Sequence, residues 1–125
     1  MKECRVIIAG GRDFNDYFLL KDSVRAIISK YDSPVKIISG TCRGADRMGE
    51  KFAYDTGIEV ERFPANWNDL GKRAGFVRNA EMAKYACEDN NVGILIAFWD
   101  GKSKGTKHMI EIARKNGLSV YVINY

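Results

Sequence analysis

The eight residues VGILIAFW, 92–99, carry no polar side chain. A strand with one face in water alternates apolar and polar residues, so this one requires cover on both faces. Strands of that kind belong to parallel sheets, whose crossover helices pack on either side. The rest of the chain supplies the matching pieces. CRVIIAGG gives a short buried strand, Arg5 to Ala9, broken by a glycine pair. VKIISG gives a second that ends on Gly40, IEVERFP alternates as a third, and LSVYVINY is the last. Helical patterns lie between them. YFLLKDSVRAIISKY places Phe18, Leu19, Val24, Ile27 and Ile28 near one face. RGADRMGEKFAYDTG turns Ala45, Met48, Phe52 and Ala53 inward and closes on Gly57. ANWNDLGKRAGF is the least regular stretch, followed by helices over VRNAEMAKYACE and GTKHMIEIARKNG.

The order βαβαβ–loop–αβαβ predicts one α/β domain over residues 1–125. It is a Rossmann-like three-layer sandwich, with a parallel sheet of about five strands in the order 3-2-1-4-5 and helices on both faces. In open sheets of this type ligands bind beyond the carboxyl ends of the strands, where the strand order reverses. Here that is between strands 1 and 4.

Composition narrows the class. At 46% hydrophobic and 29% charged, the chain has an ordinary globular balance. No apolar run is long enough to span a membrane, and Met1-Lys2-Glu3-Cys4 lacks a signal-peptide layout, so a cytoplasmic protein is expected. Cys4, Cys42 and Cys87 have no metal-ligand spacing and read as free thiols, buried or half-buried. The net charge of +4 suits an anionic ligand, but no Lys/Arg block points to nucleic acid.

Four turns carry the candidate site. In AGGRDF, Gly10 and Gly11 let backbone N–H groups approach an anion and Arg12 adds charge; the alternative is a tight turn with a solvated Arg12 and a capping Asp13. In SGTCRGADR, Gly40 and Thr41 end a strand and Gly44 opens a helix. Thr41 either caps that helix or faces a phosphate. Asp46 either serves the helix dipole or pairs with Arg43 or Arg47, or else it binds a sugar hydroxyl. In FPANWNDLGKRAGFVRNAEM, a long loop and a helix start bring Arg78 and Asn79 within reach of a phosphate or sugar. Trp67 either stacks on a base or fills a gap in the core. In FWDGKSKGTKHMIEIA, Trp99 ends the strand, and Gly101 and Gly105 bracket Lys102-Ser103-Lys104. Thr106 follows at a helix start. These are the parts of an anion site, or of a solvated turn with Ser103 or Thr106 as N-cap. His108, the single histidine, suits a surface or packing role, and Glu111 an exposed one. No nucleophile triad, spaced carboxylate pair or metal cluster is legible, and neither metal nor cofactor is expected.

Taken in order, IIAGGRDF, SGTCRGADRMGEKFA, FPANWNDLGKRAGFVRNAEM and IAFWDGKSKGTKHMIEIA resemble the small YspA-like proteins. These are a YpsA-related branch of the SLOG superfamily, which also contains DprA and the LOG phosphoribohydrolases. The resemblance implies a Rossmann-like fold and a nucleotide site in a bacterial or phage protein. It assigns the ligand site to Gly10, Gly11 and Arg12 and to Gly105 and Thr106, with Gly40, Gly44 and Asp46 matching the branch's second motif. Arg78 and Asn79 stand where LOG enzymes carry an Arg-Lys pair with a catalytic Arg, which makes Arg78 the candidate catalytic residue. The LOG signature PGGxGTxxE is replaced by WDGKSKGTKHM, with no acid within three residues of Thr106. A phosphoribohydrolase needs a carboxylate, and Asp46, Glu81 and Asp100 are the candidates to supply it.

The leading expectation is therefore a protein that binds a nucleotide or nucleotide-derived ligand, such as an ADP-ribose-like signal, and senses or sequesters it. A LOG-like nucleotide N-glycosidase is the alternative, and DprA-like binding of single-stranded DNA the second. Helical faces of this fold also allow a homodimer.

Overall fold

The computed structural model of the protein describes residues 2–125. Five parallel strands form one sheet: β1 (Cys4–Gly10), β2 (Val35–Ser39), β3 (Glu59–Arg62), β4 (Val92–Trp99) and β5 (Ser119–Asn124). Their order is β3-β2-β1-β4-β5. β4 lies between β1 and β5, as its unbroken apolar run requires, and Ile94 to Phe98 are fully buried. The pleat sends alternate residues to opposite faces. Cys4, Val6, Ile8, Ile94, Ile96 and Phe98 join one core cluster, shared with Leu20, Val24 and Phe52. Ile7, Ala9, Leu95 and Ala97 join a second, shared with Met82, Ala83, Met109 and Ile110.

Helices α1 (Tyr17–Ile28) and α2 (Ala45–Thr56) therefore cover one face, and α4 (Ala74–Cys87) and α5 (Lys104–Lys115) cover the other. A one-turn helix α3 (Trp67–Leu70) precedes α4. Each large side chain buried in this way is worth roughly 1.5–3 kcal/mol. Two apolar faces on one five-stranded sheet thus make up the framework beneath the turns.

Several local features differ from the sequence reading. The stretch 65–76 is not a long loop. Asn66 Oδ1 accepts from Asp69 N and starts α3, Gly71–Arg73 form a 3-10 turn, and α4 begins at Ala74, whose methyl is buried. Arg78 and Asn79 thus lie one turn inside α4 rather than at its start. That helix ends at Cys87, before Glu88. Phe18 is 75% exposed, because Leu20, Val24 and Ile27 define the inner face of α1 and a residue two positions from Leu20 points elsewhere. Cys87 is exposed, whereas Cys4 is buried and Cys42 half-buried. No helix among the described residues is long and apolar enough to cross a membrane.

Candidate functional site

A cleft of about 430 Å³ opens at the carboxyl ends of β1 and β4. Three backbone features fix the turns that carry it. Gly10 lies so close to β4 that a Cβ there would strike the carbonyl of Phe98 and sit 2.8 Å from Ala45 Cβ. Gly11 N donates to the Phe98 carbonyl at 3.3 Å, and its own carbonyl accepts from Phe14 N and Ala45 N. Gly44, at φ 83°, presses against the carbonyls of Gly11 and Arg12, and any side chain would collide with them. The first two turns are therefore locked together backbone to backbone. Thr41 is held at φ 67°, an uncommon conformation for a β-branched residue. Its amide is fixed by Ser39 Oγ at 3.0 Å and its carbonyl by Arg47 Nε at 2.9 Å. Thr41 does not cap α2, whose N-cap residue is Gly44 with no side-chain hydrogen bond.

The third turn, after β4, is held differently. Asp100 Oδ1 accepts from Lys102 N and Ser103 N, both at 2.8 Å. These amides pull the Asp100 carboxyl below the usual range. Ser103 is the N-cap of α5, its Oγ accepting from Thr106 N at 3.3 Å. Trp99 Nε1 donates to the Ser103 carbonyl at 3.1 Å and ties the turn to the end of the sheet. The first-turn amides of Lys104 and Gly105 have no acceptor among the described residues, as at most helix starts.

Helix α4 spans the two sides. Arg78, only 9% exposed, donates from Nη1 to the Gly40 carbonyl at 2.6 Å and from Nε to Asn79 Oδ1 at 3.0 Å. A side chain on Gly40 would fall 2.8 Å from both Arg78 Nη1 and Asp46 Oδ2, so this glycine leaves room for the two charged groups. Asn79 Nδ2 lies 3.3 Å from the Gly105 carbonyl and 3.2 Å from His108 Nδ1. Because Nε of Arg78 can only donate, the Asn79 carbonyl must face it and the amide must face His108. His108 Nδ1 is then an acceptor and its proton sits on Nε2. Burial lowers the His108 pKa below the usual 6.5, which keeps that arrangement neutral. One hydrogen-bonded chain thus runs from Gly40 through Arg78 and Asn79 to α5.

Asp46 is the buried acid of the cleft, 7% exposed. Its Oδ2 accepts from Cys42 N at 3.2 Å, and it makes no ion pair within 4 Å among the described residues. It pairs with neither Arg43 nor Arg47. Burial raises its pKa to about 6, against the opposing pull of Arg78.

Of the residues singled out from sequence, the cleft is lined by Gly10, Gly11, Arg12, Asp46, Arg78, Asn79, Ser103, Gly105 and Thr106. Gly40, Thr41, Gly44, Trp99 and Gly101 shape or brace the surrounding turns and do not line it. Among the candidate acids, Asp46 and Asp100 line the cleft and Glu81 does not. Met109, three residues after Thr106, lines it with a buried thioether where a LOG signature would carry its acid. Sequence reasoning missed Phe76 and Tyr125. Phe76 was hidden by the late placement of the α4 start. The Tyr125 hydroxyl reaches Gly11 and its ring packs edge-on against Phe14, with centroids 4.8 Å apart; no local pattern signals that contact. Trp67 does not fill the core: it lines the cleft and is 46% exposed. Among the described residues, no group of three or more His, Cys, Asp or Glu side chains is placed to hold a metal ion.

Residues 4–69 match the YspA, cpYpsA-related SLOG family. The chain is also 31% identical over 121 residues to the Gene 61 protein of Mycobacterium phage D29, covering 93% of each. No solved structure matches. With a match over more than half its length, a full-length phage relative and a parallel sheet of the expected order, the chain belongs to the YspA, cpYpsA-related SLOG family.

Proposed function

We propose that the cleft binds a nucleotide or nucleotide-derived ligand, such as an ADP-ribose-like signal, and that the protein senses or sequesters it. One observation carries this reading. Arg78, the Gly10–Arg12 turn and the open start of α5 converge on one concave space at the point where the strand order reverses. Glycine turns and a helix N-terminus suit a phosphate, and a guanidinium adds a charged fork. The volume of about 430 Å³ is in the range of small-molecule sites. Family membership agrees with a nucleotide-related ligand. The test is calorimetric titration with AMP, ADP-ribose and ribose 5-phosphate. Saturable binding that Arg78→Gln weakens at least tenfold is expected. No heat and no thermal shift across the panel would overturn the reading.

A second reading, cleavage of an N-glycosidic bond, is favoured by Asp46. A buried carboxyl near neutral pKa, in the same cleft as Arg78, has the character of a general acid or base. Chromatography of AMP after incubation with the protein decides between the two. Free adenine formed by the protein, and lost in Asp46→Asn, would establish turnover; intact AMP leaves binding alone.

A further inference from the structure

The phosphate-facing parts of the cleft account for its floor and one wall, but not for its mouth. Trp67 and Phe76 line the cleft, yet they are 46% and 48% exposed. Large rings left open to water inside a concave site, rather than scattered over a convex surface, call for a partner. Both are held in place. Trp67 sits on α3, started by the Asn66 cap. The Phe76 ring lies against the His108 ring, with centroids 4.5 Å apart and planes tilted by 53°. His108 is in turn fastened to Asn79, and Asn79 to Arg78. Phe76 and the guanidinium therefore share one brace.

The spacing is set by Gly75. A methyl group placed there would lie 3.4 Å from Trp67 Cη2 and 3.8 Å from Arg78 Nη2. The indole edge and the guanidinium thus flank Gly75, and a side chain there would lie against both.

We propose that Trp67 and Phe76 form the base-holding half of the cleft, taking the flat ring of a nucleobase while Arg78 and the glycine turns take its phosphate. This rests on the nucleotide reading above and sharpens it: the ligand carries an aromatic base, and a bare sugar phosphate fills only part of the site. Stacking on aromatic side chains tolerates any base, because every base has a π-face, so the mouth selects for a base without choosing which.

The experiment compares AMP, GMP and UMP with ribose 5-phosphate, by calorimetry and by tryptophan fluorescence. All three nucleotides should bind roughly tenfold or more tightly than ribose 5-phosphate, and should quench fluorescence. Trp67→Ala should remove that advantage and leave ribose 5-phosphate affinity unchanged, Trp67→Tyr should restore most of it, and Trp67→Phe should abolish the quench. Phe76→Ala should act in the same direction. Equal affinity for AMP and ribose 5-phosphate would overturn the proposal while leaving the phosphate site standing. So would a Trp67→Ala protein that binds AMP normally, or one altered only in self-association on a sizing column. If neither AMP nor ribose 5-phosphate binds, the nucleotide reading falls and takes this one with it.

Discussion

The turns after β1 and β4 sit side by side across the same cleft, yet their glycines are there for opposite reasons. At Gly10 the place of a side chain is taken: the Phe98 carbonyl and Ala45 stand where a Cβ would go. At Gly105 nothing lies within 4 Å of that position. The first glycine is demanded by packing. The second sits in the first turn of a helix, where glycine costs about 1 kcal/mol relative to alanine and no neighbour requires it. A residue unexplained by the fold, facing a cleft, is better evidence of ligand access than one the fold already needs. The carboxylates repeat the contrast. Asp46, on the packed side, is pushed up to about 6 by burial; Asp100, on the open side, is pulled down by the amides it accepts from.

The largest effect should come from Gly10→Ala. The obstacle is largely backbone and cannot swing away, so the loss should lie at the upper end of the roughly 1–3 kcal/mol overpacking range or beyond it. Urea denaturation measures it, and a Gly10→Ala protein as stable as Gly105→Ala would show that the two glycines do not differ in this way.

Asp46→Asn should stabilise the protein at pH 7.5 by about 3 kcal/mol. The raised pKa means the folded chain holds the Asp46 proton more tightly than the unfolded chain. Ionisation therefore subtracts stability as pH rises from about 4 to about 6, and each tenfold difference in proton affinity between the two states is worth about 1.4 kcal/mol. Removing the charge removes that loss, and Asn keeps an acceptor for Cys42 N. The advantage over the wild type should vanish at pH 4. Asp100→Asn should move stability the other way at neutral pH, since a lowered pKa contributes stability that is present above the unfolded value and lost on acidification. Thermal melts at pH 4 and 7.5 test both, and matching signs would erase the distinction between the two sides.

Gly105→Ala should raise stability by about 0.5–1 kcal/mol, through a stiffer unfolded chain and a better helix former. It should weaken AMP binding nonetheless. A stable variant with unchanged affinity would show that the open glycine faces no ligand. The subtlest expectation is spectroscopic. His108 should titrate below 6.5 and carry its proton on Nε2 in nitrogen-15 NMR, as the Asn79 orientation requires. A proton on Nδ1 would mean that Asn79 Nδ2 does not donate to His108.

The fold was legible because β4 has no polar residue and each helix carries its own spacing. The strand order followed from the βα alternation and the rule of right-handed crossovers. The region of α3 defeated that logic because it contains no periodic run long enough to read: one helical turn is followed at once by a 3-10 turn that opens on Gly71 at φ 59°. Phe18 misled because Leu19 and Leu20 stand beside it and three adjacent apolar residues do not say which faces in. The turns of the site announced themselves by glycine. The burial of Asp46 did not, because it depends on a missing side chain at Gly40 and on Arg78, which reaches back across 38 positions to the Gly40 carbonyl. Tyr125 was unreadable for the same reason: what brings it to Gly11 is the position of the edge strand β5, not its own neighbours in sequence.

The innermost pairing of the sheet also sets an order of events. β1 runs alongside β4 in a register that joins Cys4 to Val92 and Gly10 to Phe98. On a ribosome the first strand is finished long before its central neighbour exists. Until then β1 can pair only with β2, and its other edge is an apolar strand with open hydrogen-bonding groups, a template for wrong partners. Parallel pairings between distant segments are slow to close. The cleft lies on this late seam, with Gly11 bonded to Phe98, so it comes into being only when the last half of the chain docks. A ligand that binds there would favour the finished protein over every partly folded one, and its presence during synthesis would raise the yield of folded chain.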